Sequence, residues 1–133
     1  MVICLFGTRY KDGWDRELEA CLDAMLLEAL RKVDGFISFH LYTADDGEAL
    51  GVIRFDTKDA LEAWRSDPTH RSAWPHAPDS YDCFWIQNAE TYREYVWKPD
   101  CGRTGEDMRE RFRSDGSNLA SSPVRTTLGQ LMR

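Results

Sequence analysis

The sequence lacks the features that mark several large classes of protein. No apolar run approaches the roughly 20 residues that a membrane-spanning helix requires. The apolar start, Met1–Phe6, has no basic residue before it, which predicts a strand and not a signal peptide. Acidic residues outnumber basic ones by 23 to 17, and the net charge of -6 argues against nucleic acid as a partner. We therefore expect a cytoplasmic protein that binds neither a membrane nor nucleic acid.

Cofactor and metal motifs are also missing. The four cysteines, at positions 4, 21, 83 and 101, form neither a CxxC pair nor a spacing typical of metal ligands. We expect them to be reduced and mostly buried. The acids of Asp45–Glu48 lie in a hairpin turn and do not complete a calcium-binding loop. No GxGxxG, P-loop, HExxH or GxSxG motif is present, so no metal site is predicted.

Aromatic residues, in contrast, are plentiful. They make up 12% of the 133 residues, among them five Trp and six Phe. A chain of this length forms one compact domain. So much aromatic surface in one small domain needs a core, an interface or a ligand cavity to cover it.

Hydrophobic periodicity predicts strands and helices in the order β-α-β-β-α-β. In chain order they are a strand at 1–9, a helix at 14–33, strands at 36–43 and 50–55, a helix ending near 66, a short helix from 68, and one or two strands between 80 and 97. Asp56 is the expected cap of the second helix, and Asp67 caps the short helix that begins at Pro68. This order is typical of an α+β, ferredoxin-like fold with an antiparallel sheet.

The predicted sheet has helices on one face only. In the second strand, one face would carry Ile37, Phe39 and Leu41, and the other Phe36, Ser38, His40 and Tyr42. Because both faces bear apolar or aromatic residues, the uncovered face needs a partner, and a homodimer forming a dimeric α/β barrel is the expected solution. Residues 1–97 are predicted to form this domain. Residues 98–133, with a helix expected at 104–113, form a C-terminal extension that could pack on the dimer partner.

Four segments carry a resemblance to a known family. They are Gly35–Phe39, the turn Asp45–Glu48, Gly51–Phe55 and the helical stretch Lys58–Arg71. Together they resemble the antibiotic biosynthesis monooxygenase (ABM) family over about the first 97 residues. The resemblance implies a dimeric α/β barrel with a cavity between helices and sheet in each subunit. Some members oxidise polycyclic phenols with O2 and no flavin, metal or haem, others degrade haem, and others are cyclases, signalling enzymes or proteins without known chemistry.

The resemblance also points to candidate site residues. Trp64 matches the tryptophan of the family's second helix, where it could hold a substrate oxygen or simply belong to the core. His70, six residues on, could be a catalytic base or a surface residue held by Asp67, and His40 could be a base or an interface residue. Arg54 could stabilise an anionic oxygen or pair with a carboxylate. The expected substrate-binding residues, which core packing would also explain, are Phe39, Tyr42, Trp74, Tyr81 and Trp85.

The function expected from these residues is a cofactor-independent monooxygenase that acts with O2 on an aromatic, polyketide-like phenol. A haem-degrading enzyme, with haem as cofactor, is the first alternative. Its relatives share an Asn on the first strand, which is missing here, and a ligand His near positions 73 and 74, which His70 and His76 only flank. A non-catalytic binding barrel of a biosynthetic pathway is the second alternative.

Overall fold

The computed structural model describes residues 1–99, 102–104, 109 and 111–112. Its helices and strands, in chain order, are β1 (Val2–Tyr10), α1 (Arg16–Arg31), β2 (Phe36–Thr43), β3 (Ala49–Phe55), α2 (Lys58–Ser66), α3 (Pro68–Ala73), α4 (Ala77–Ser80), β4 (Tyr81–Glu90), β5 (Val96–Lys98) and β6 (Gly102–Thr104). A single 3-10 turn, Trp74–His76, joins α3 to α4. No helix among the described residues is long and apolar enough to cross a membrane.

The main sheet has four antiparallel strands in the order β2-β3-β1-β4. This topology, with the helices between β1 and β2 and between β3 and β4, confirms the α+β, ferredoxin-like fold expected from the element order. Strands β5 and β6 form a separate two-stranded hairpin. That hairpin spans the expected domain boundary between residues 97 and 98.

Capping residues explain where the helices begin. Asp15 caps α1 by accepting a hydrogen bond from the backbone N–H of Leu18 at 3.0 Å. The cap of α2 is Thr57, whose hydroxyl accepts from the N–H of Ala60, so the expectation that Asp56 caps this helix is wrong. Asp67 caps α3 as expected, with Pro68 in the first turn where no N–H is needed.

The core lies between the sheet and helices α1 and α2. Its fully buried members are Val2, Cys4, Leu30, Ile53, Phe55, Ala60, Leu61 and Trp64. We call the sheet face that carries Val2, Cys4 and Ile53 the helix-side face. The opposite, outer face carries Ile3, Ser38, His40, Val52 and Arg54, as the antiparallel register requires.

A shift of register in β2 changes one expected orientation. Phe36 pairs with Phe55, but Ser38 pairs with Arg54, so one extra residue stands between them. Phe36 therefore packs against the core, with its ring edge-on to Phe55, and not with Ser38 and His40 as alternation predicts. Beyond the shift the alternation holds, and Phe39 and His40 lie on opposite faces.

The structure also differs from expectation in the last strands and in the exposure of the cysteines. Strand β4 runs unbroken through residues 87–89, and of residues 91–97 only Val96 and Trp97 are in a strand. Pro78 occupies the first turn of α4, where its missing N–H costs no hydrogen bond. Cys4 is buried, yet Cys21 and Cys83 are exposed, so the cysteines of the described residues are not mostly buried.

Part of the C-terminal extension packs on the outer face of its own sheet. Arg109, which is helical, donates from Nε to a carboxylate oxygen of Asp56 at 2.7 Å. The ring centroid of Phe112 lies 3.6 Å from the guanidinium carbon of Arg54. Most of the helix expected at 104–113 lies outside the described residues, and Thr104 belongs to β6.

Candidate functional site

A stack of aromatic rings joins α2 to α3 on the helix side of the sheet. Trp64, at the inward face of α2, is 5% exposed. The imidazole of His70 lies parallel to the Trp64 ring, with a centroid distance of 4.0 Å and an interplanar angle of 9°. Trp74 stands edge-on to the imidazole at 5.8 Å. These three rings are the part of the expected site that the fold brings together.

The local sequence explains how this stack forms. Asp67 ends α2 and caps α3 by accepting from the backbone N–H of His70 at 3.0 Å. That cap turns the chain so that the side chain of His70 folds back over the last turn of α2. There the Nδ1 of His70 lies 3.0 Å from the carbonyl oxygen of Trp64. The contact of His70 with Asp67 that the sequence suggested is therefore present, although the imidazole is half-buried and not at the surface.

The contact with the Trp64 carbonyl fixes the tautomer of His70. A carbonyl oxygen only accepts hydrogen bonds, so Nδ1 must carry the proton and Nε2 the lone pair. Burial lowers the pKa of His70, while the Trp64 carbonyl and the charge of Asp67 act in the opposite direction. The ring is therefore neutral at pH 7, with Nε2 as a proton acceptor.

The remaining candidates lie elsewhere. His40, Tyr42 and Arg54 are on the outer face, separated from Trp64 by the sheet itself. Trp85 is also on that face, where its indole lies across Gly7. Phe39 is on the helix-side face and stacks on Phe6 at a centroid distance of 6.0 Å, which is a core contact.

Tyr81 belongs to a polar cluster that the sequence analysis missed. We call it the Glu19 cluster; its members are Tyr10, Glu19, Asp23, Ser80 and Tyr81. Glu19 is 4% exposed and accepts from the Ser80 hydroxyl at 2.7 Å and from the Tyr81 hydroxyl at 2.5 Å. Tyr10 stacks on Trp14 and contacts the Tyr81 ring at 5.2 Å. The cluster closes the space between the first turns of α1 and the adjoining ends of β1 and β4.

Asp23 is the electrostatically unusual member of this cluster. One of its carboxylate oxygens is buried and has no hydrogen-bond partner. Burial, and then the charge of Glu19 one helical turn away, raises the pKa of Asp23 to about 7. Burial also raises the pKa of Tyr81, and so do its neighbours Tyr10 and Glu19. Burial raises the pKa of the Tyr10 hydroxyl in the same way, so both phenols stay protonated at neutral pH.

The sequence did contain a signal for these acids. Glu19 and Asp23 fall in step with Leu26 and Leu30, at spacings of four, three and four residues. Such spacings place all four side chains along one stripe of a helix. Burying a carboxylate costs free energy unless it is hydrogen-bonded. Acids at the inward positions of that stripe therefore indicate that hydrogen-bond donors lie nearby.

An open depression of about 440 Å³ lies at the other end of the helices. Its lining includes Ala29, Lys32, Thr57, Ala63 and Asp67. Trp64 and His70 do not line this depression. Among the described residues, no group of three or more His, Cys, Asp or Glu side chains is placed to hold a metal ion.

Comparison with known proteins decides the family. The model of the antibiotic biosynthesis monooxygenase (ABM) family matches residues 1–74, more than half of the chain. The chain belongs to the ABM family. This confirms the resemblance carried by residues 35–71, and it agrees with a broadly monooxygenase-like protein. No curated protein matches the sequence.

Solved structures show the same fold as this ABM-family chain. The protein Rv0793 of Mycobacterium tuberculosis is 23% identical, with a TM-score of 0.60, over 70% of this chain and 96% of its own. The protein SO0527 of Shewanella oneidensis is 19% identical, with a TM-score of 0.58, over 66% and 87% of the two chains. A putative antibiotic biosynthesis monooxygenase of Nitrosomonas europaea is 11% identical, with a TM-score of 0.58, over 70% and 100%. At these identities the likeness establishes the fold alone.

Proposed function

We propose that this ABM-family protein is a cofactor-independent monooxygenase that oxidises a polycyclic phenol with O2. The observation that carries the proposal is the stack of Trp64 and His70, in which the Trp64 carbonyl holds Nδ1–H and leaves Nε2 free to take a proton. Family membership supports the reaction class, and the geometry of His70 supports its first chemical step.

The reaction starts with removal of a proton from the substrate. A phenol, or an anthrone in its enol form, gives electrons to O2 readily once it is an anion. Nε2 of His70 accepts that proton, and the Nδ1–H bond to the Trp64 carbonyl stabilises the imidazolium that forms. The exposed ring of Trp74 provides aromatic surface for a polycyclic ring system.

The later steps balance without an added reductant. The substrate anion transfers an electron to O2, and the resulting radical pair forms a C–O bond to give a peroxide. His70 returns its proton to the peroxide; the remaining C–H bond then breaks, its electron pair forms the C=O bond as the O–O bond breaks, and the released hydroxide takes up that proton and leaves as water. For an anthrone, a CH2 group and one O2 become a carbonyl and one H2O, and the substrate supplies all of the electrons.

Trp64 is the proposed partner of the developing oxyanion. The indole N–H is the one hydrogen-bond donor of this side chain. A substrate or peroxide oxygen could accept that bond, and such a preorganised donor stabilises charge that develops during the reaction. Substituting Trp64 by Phe keeps the ring in the core and removes only the donor.

The proposal is tested with metal-free protein and an anthrone-type phenol, in air and under anaerobic conditions. We expect O2-dependent quinone formation, with one O2 consumed per quinone. His70→Asn removes the base and should lower kcat by roughly a hundredfold or more, whereas His76→Ala, the matched control in the same segment, should leave it unchanged. Turnover that is equal in both variants, or no turnover across a panel of phenols, would refute the assignment.

Haemin titration separates this proposal from haem degradation. A cofactor-independent enzyme should give no saturable Soret shift. A shift that His70→Ala or His76→Ala abolishes would instead favour the haem-degrading alternative, with that histidine as ligand.

We also propose that the active form is a homodimer, the dimeric α/β barrel expected from sequence. Several large apolar side chains remain open to solvent in the single chain, among them Tyr42, Phe84, Ile86 and Trp97. Exposed apolar surface of this kind is typical of protein interfaces. Light scattering at micromolar protein should give twice the chain mass of 15.4 kDa; a stable single-chain species would contradict the dimer.

A further inference from the structure

A helical piece of the C-terminal extension lies on the outer face of the sheet. Its described residues are Arg109, Arg111 and Phe112, and we call them the strap. Residues three apart in a helix share a face. Arg109 and Phe112 accordingly both contact the sheet, the first through its hydrogen bond to Asp56 at 2.7 Å and the second through the Arg54 guanidinium at 3.6 Å. Arg111, between them, is exposed.

The strap covers one half of the outer face. Phe112 stands edge-on to the His40 ring at 5.8 Å, in addition to its contact with Arg54. His40 belongs to β2 and Arg54 to β3, so the strap lies over these two neighbouring strands. The outward residues of β4, at the opposite edge of the sheet, are exposed; they include Cys83, Gln87 and Ala89. The chain itself therefore occupies the β2–β3 half of this face.

The homodimer proposed above needs the same half of the face. Two sheets that pack face to face lie about 10 Å apart. A helix with its side chains is also about 10 Å across, so a helical segment on one sheet fills the gap that the second sheet would close. The strap and the sheet of a second copy therefore cannot both pack on the β2–β3 half.

The packing of the strap is imperfect. Three buried polar atoms of the same half have no hydrogen-bond partner; these orphan atoms are Oγ of Ser38, Nδ1 of His40 and Nη1 of Arg54. Buried polar groups without a hydrogen bond cost free energy, and opening the strap exposes His40 and Arg54 to water. The ion pair that holds the strap has side chains 31% and 29% exposed, so solvent weakens it. The closed strap is thus held loosely enough to open.

From this geometry we propose that the strap competes with a second copy of the chain for the β2–β3 half of the outer face and thereby limits dimer formation. This inference rests on the proposed homodimer. Each of the two chains must open its strap before their sheets meet. The apparent dissociation constant of the dimer is therefore raised by the closed fraction of both chains.

Analytical ultracentrifugation of the full chain over a range of concentrations tests the proposal. Phe112→Ala should lower the dissociation constant of the dimer by roughly tenfold or more, because the stack on Arg54 is lost in both copies. Arg109→Gln breaks the ion pair with Asp56 and should shift the constant in the same direction. Arg65→Gln, the matched control at an exposed arginine of α2 paired with Glu62, should leave it unchanged.

Hydrogen exchange of the parent chain gives an independent measurement. The backbone amides of the strap should exchange faster at concentrations where the dimer dominates than at concentrations where single chains dominate. Slower exchange in the dimer, or weaker dimers in Phe112→Ala, would overturn the proposal, because the strap would then build the interface. A dimer of equal affinity in the parent and both variants would overturn the strap alone, whereas single chains at every concentration would remove the dimer and the strap's role with it.

Discussion

The carboxyl of Asp23 makes the stability of the fold depend on pH in a way that can be calculated. Its pKa is about 7 in the folded chain, against an ordinary value of 3.8. The folded state therefore holds this proton more tightly than the unfolded state does. For an acid whose pKa is raised by folding, the stabilising proton is fully present below pH 3.8 and is lost as the pH rises through 7.

The size of the effect follows from linkage. The two pKa values set a limit of about 4 kcal/mol, reached well above pH 7. Between pH 5 and pH 8 this single group should lower the free energy of unfolding by about 2.5 kcal/mol. The Asp23→Asn chain keeps a similar shape but has no proton to lose. The free energy of unfolding of Asp23→Asn, relative to that of the parent chain, should therefore rise by about 2.5 kcal/mol between pH 5 and pH 8.

Urea unfolding at pH 5, 6, 7 and 8 measures this difference directly. Titrating groups distant from Asp23 contribute equally to both chains, so the difference between parent and variant isolates Asp23 together with its coupling to Glu19. Asp82→Asn, at an exposed position in β4, is the matched control and should run parallel to the parent chain at every pH. Parallel curves for Asp23→Asn as well would refute the reasoning, because they would show that Asp23 titrates alike in the folded and unfolded states.

Three further predictions, two on substitutions and one on thiol labelling, test other parts of the fold. A Cβ at Gly7 would lie 2.2 Å from the Trp85 indole, so Gly7→Ala should cost about 1–3 kcal/mol of unfolding free energy in urea, and adding Trp85→Leu should restore part of it. Thr57→Ala removes the cap of α2 and should cost about 1 kcal/mol in the same assay, a result that an unchanged midpoint would contradict. Burial raises the pKa of the Cys4 thiol to about 11, so mass spectrometry after brief thiol labelling at pH 8 should find Cys21 and Cys83 modified but Cys4 only after denaturation.

The architecture was predictable because its local signals agree with each other. β2 is bounded by Gly35, whose φ is +91°, and by the Asp45–Gly47 turn, and its observed ends are those expected from the sequence. The Asp67–Pro68 pair sets the start of α3 in the same way. Where a cap or a turn residue fixes the backbone within a few residues, sequence reading and structure coincide.

The features that the sequence did not predict depend on how distant parts of the chain pack together. The extra residue after Phe36 re-aims one side chain, and nothing local in 36–43 marks it. The burial of Glu19 depends on the hydroxyls of Ser80 and Tyr81, about 60 residues away along the chain. Helical spacing places these acids on the inward stripe of α1, but it does not identify the distant hydroxyls that stabilise Glu19 there.

For a related reason, the sequence did not show which of the candidate site residues lie on the same side of the sheet. Strand alternation separates Phe39 from His40, but it does not say on which side the Trp64 helix lies. The structure shows that α2 covers the face that carries Phe39, Ile53 and Phe55. His40 and Arg54 are therefore not neighbours of Trp64, although the sequence suggested His40 as a base and Arg54 as the group that stabilises an anionic oxygen.

The sheet separates the Trp64–His70 stack from Ser38, His40 and Arg54, and the two groups differ in how their hydrogen bonds are satisfied. On the helix side, the Trp64 carbonyl satisfies Nδ1 of His70 within the chain, so the imidazole is already oriented before a substrate arrives. On the outer face, the orphan atoms of Ser38, His40 and Arg54 are satisfied by nothing in the described chain. A preorganised base suits catalysis, because its geometry costs nothing at the moment of reaction. The unsatisfied atoms of the outer face instead require a partner from outside the described chain, because a buried polar group without a hydrogen bond costs free energy.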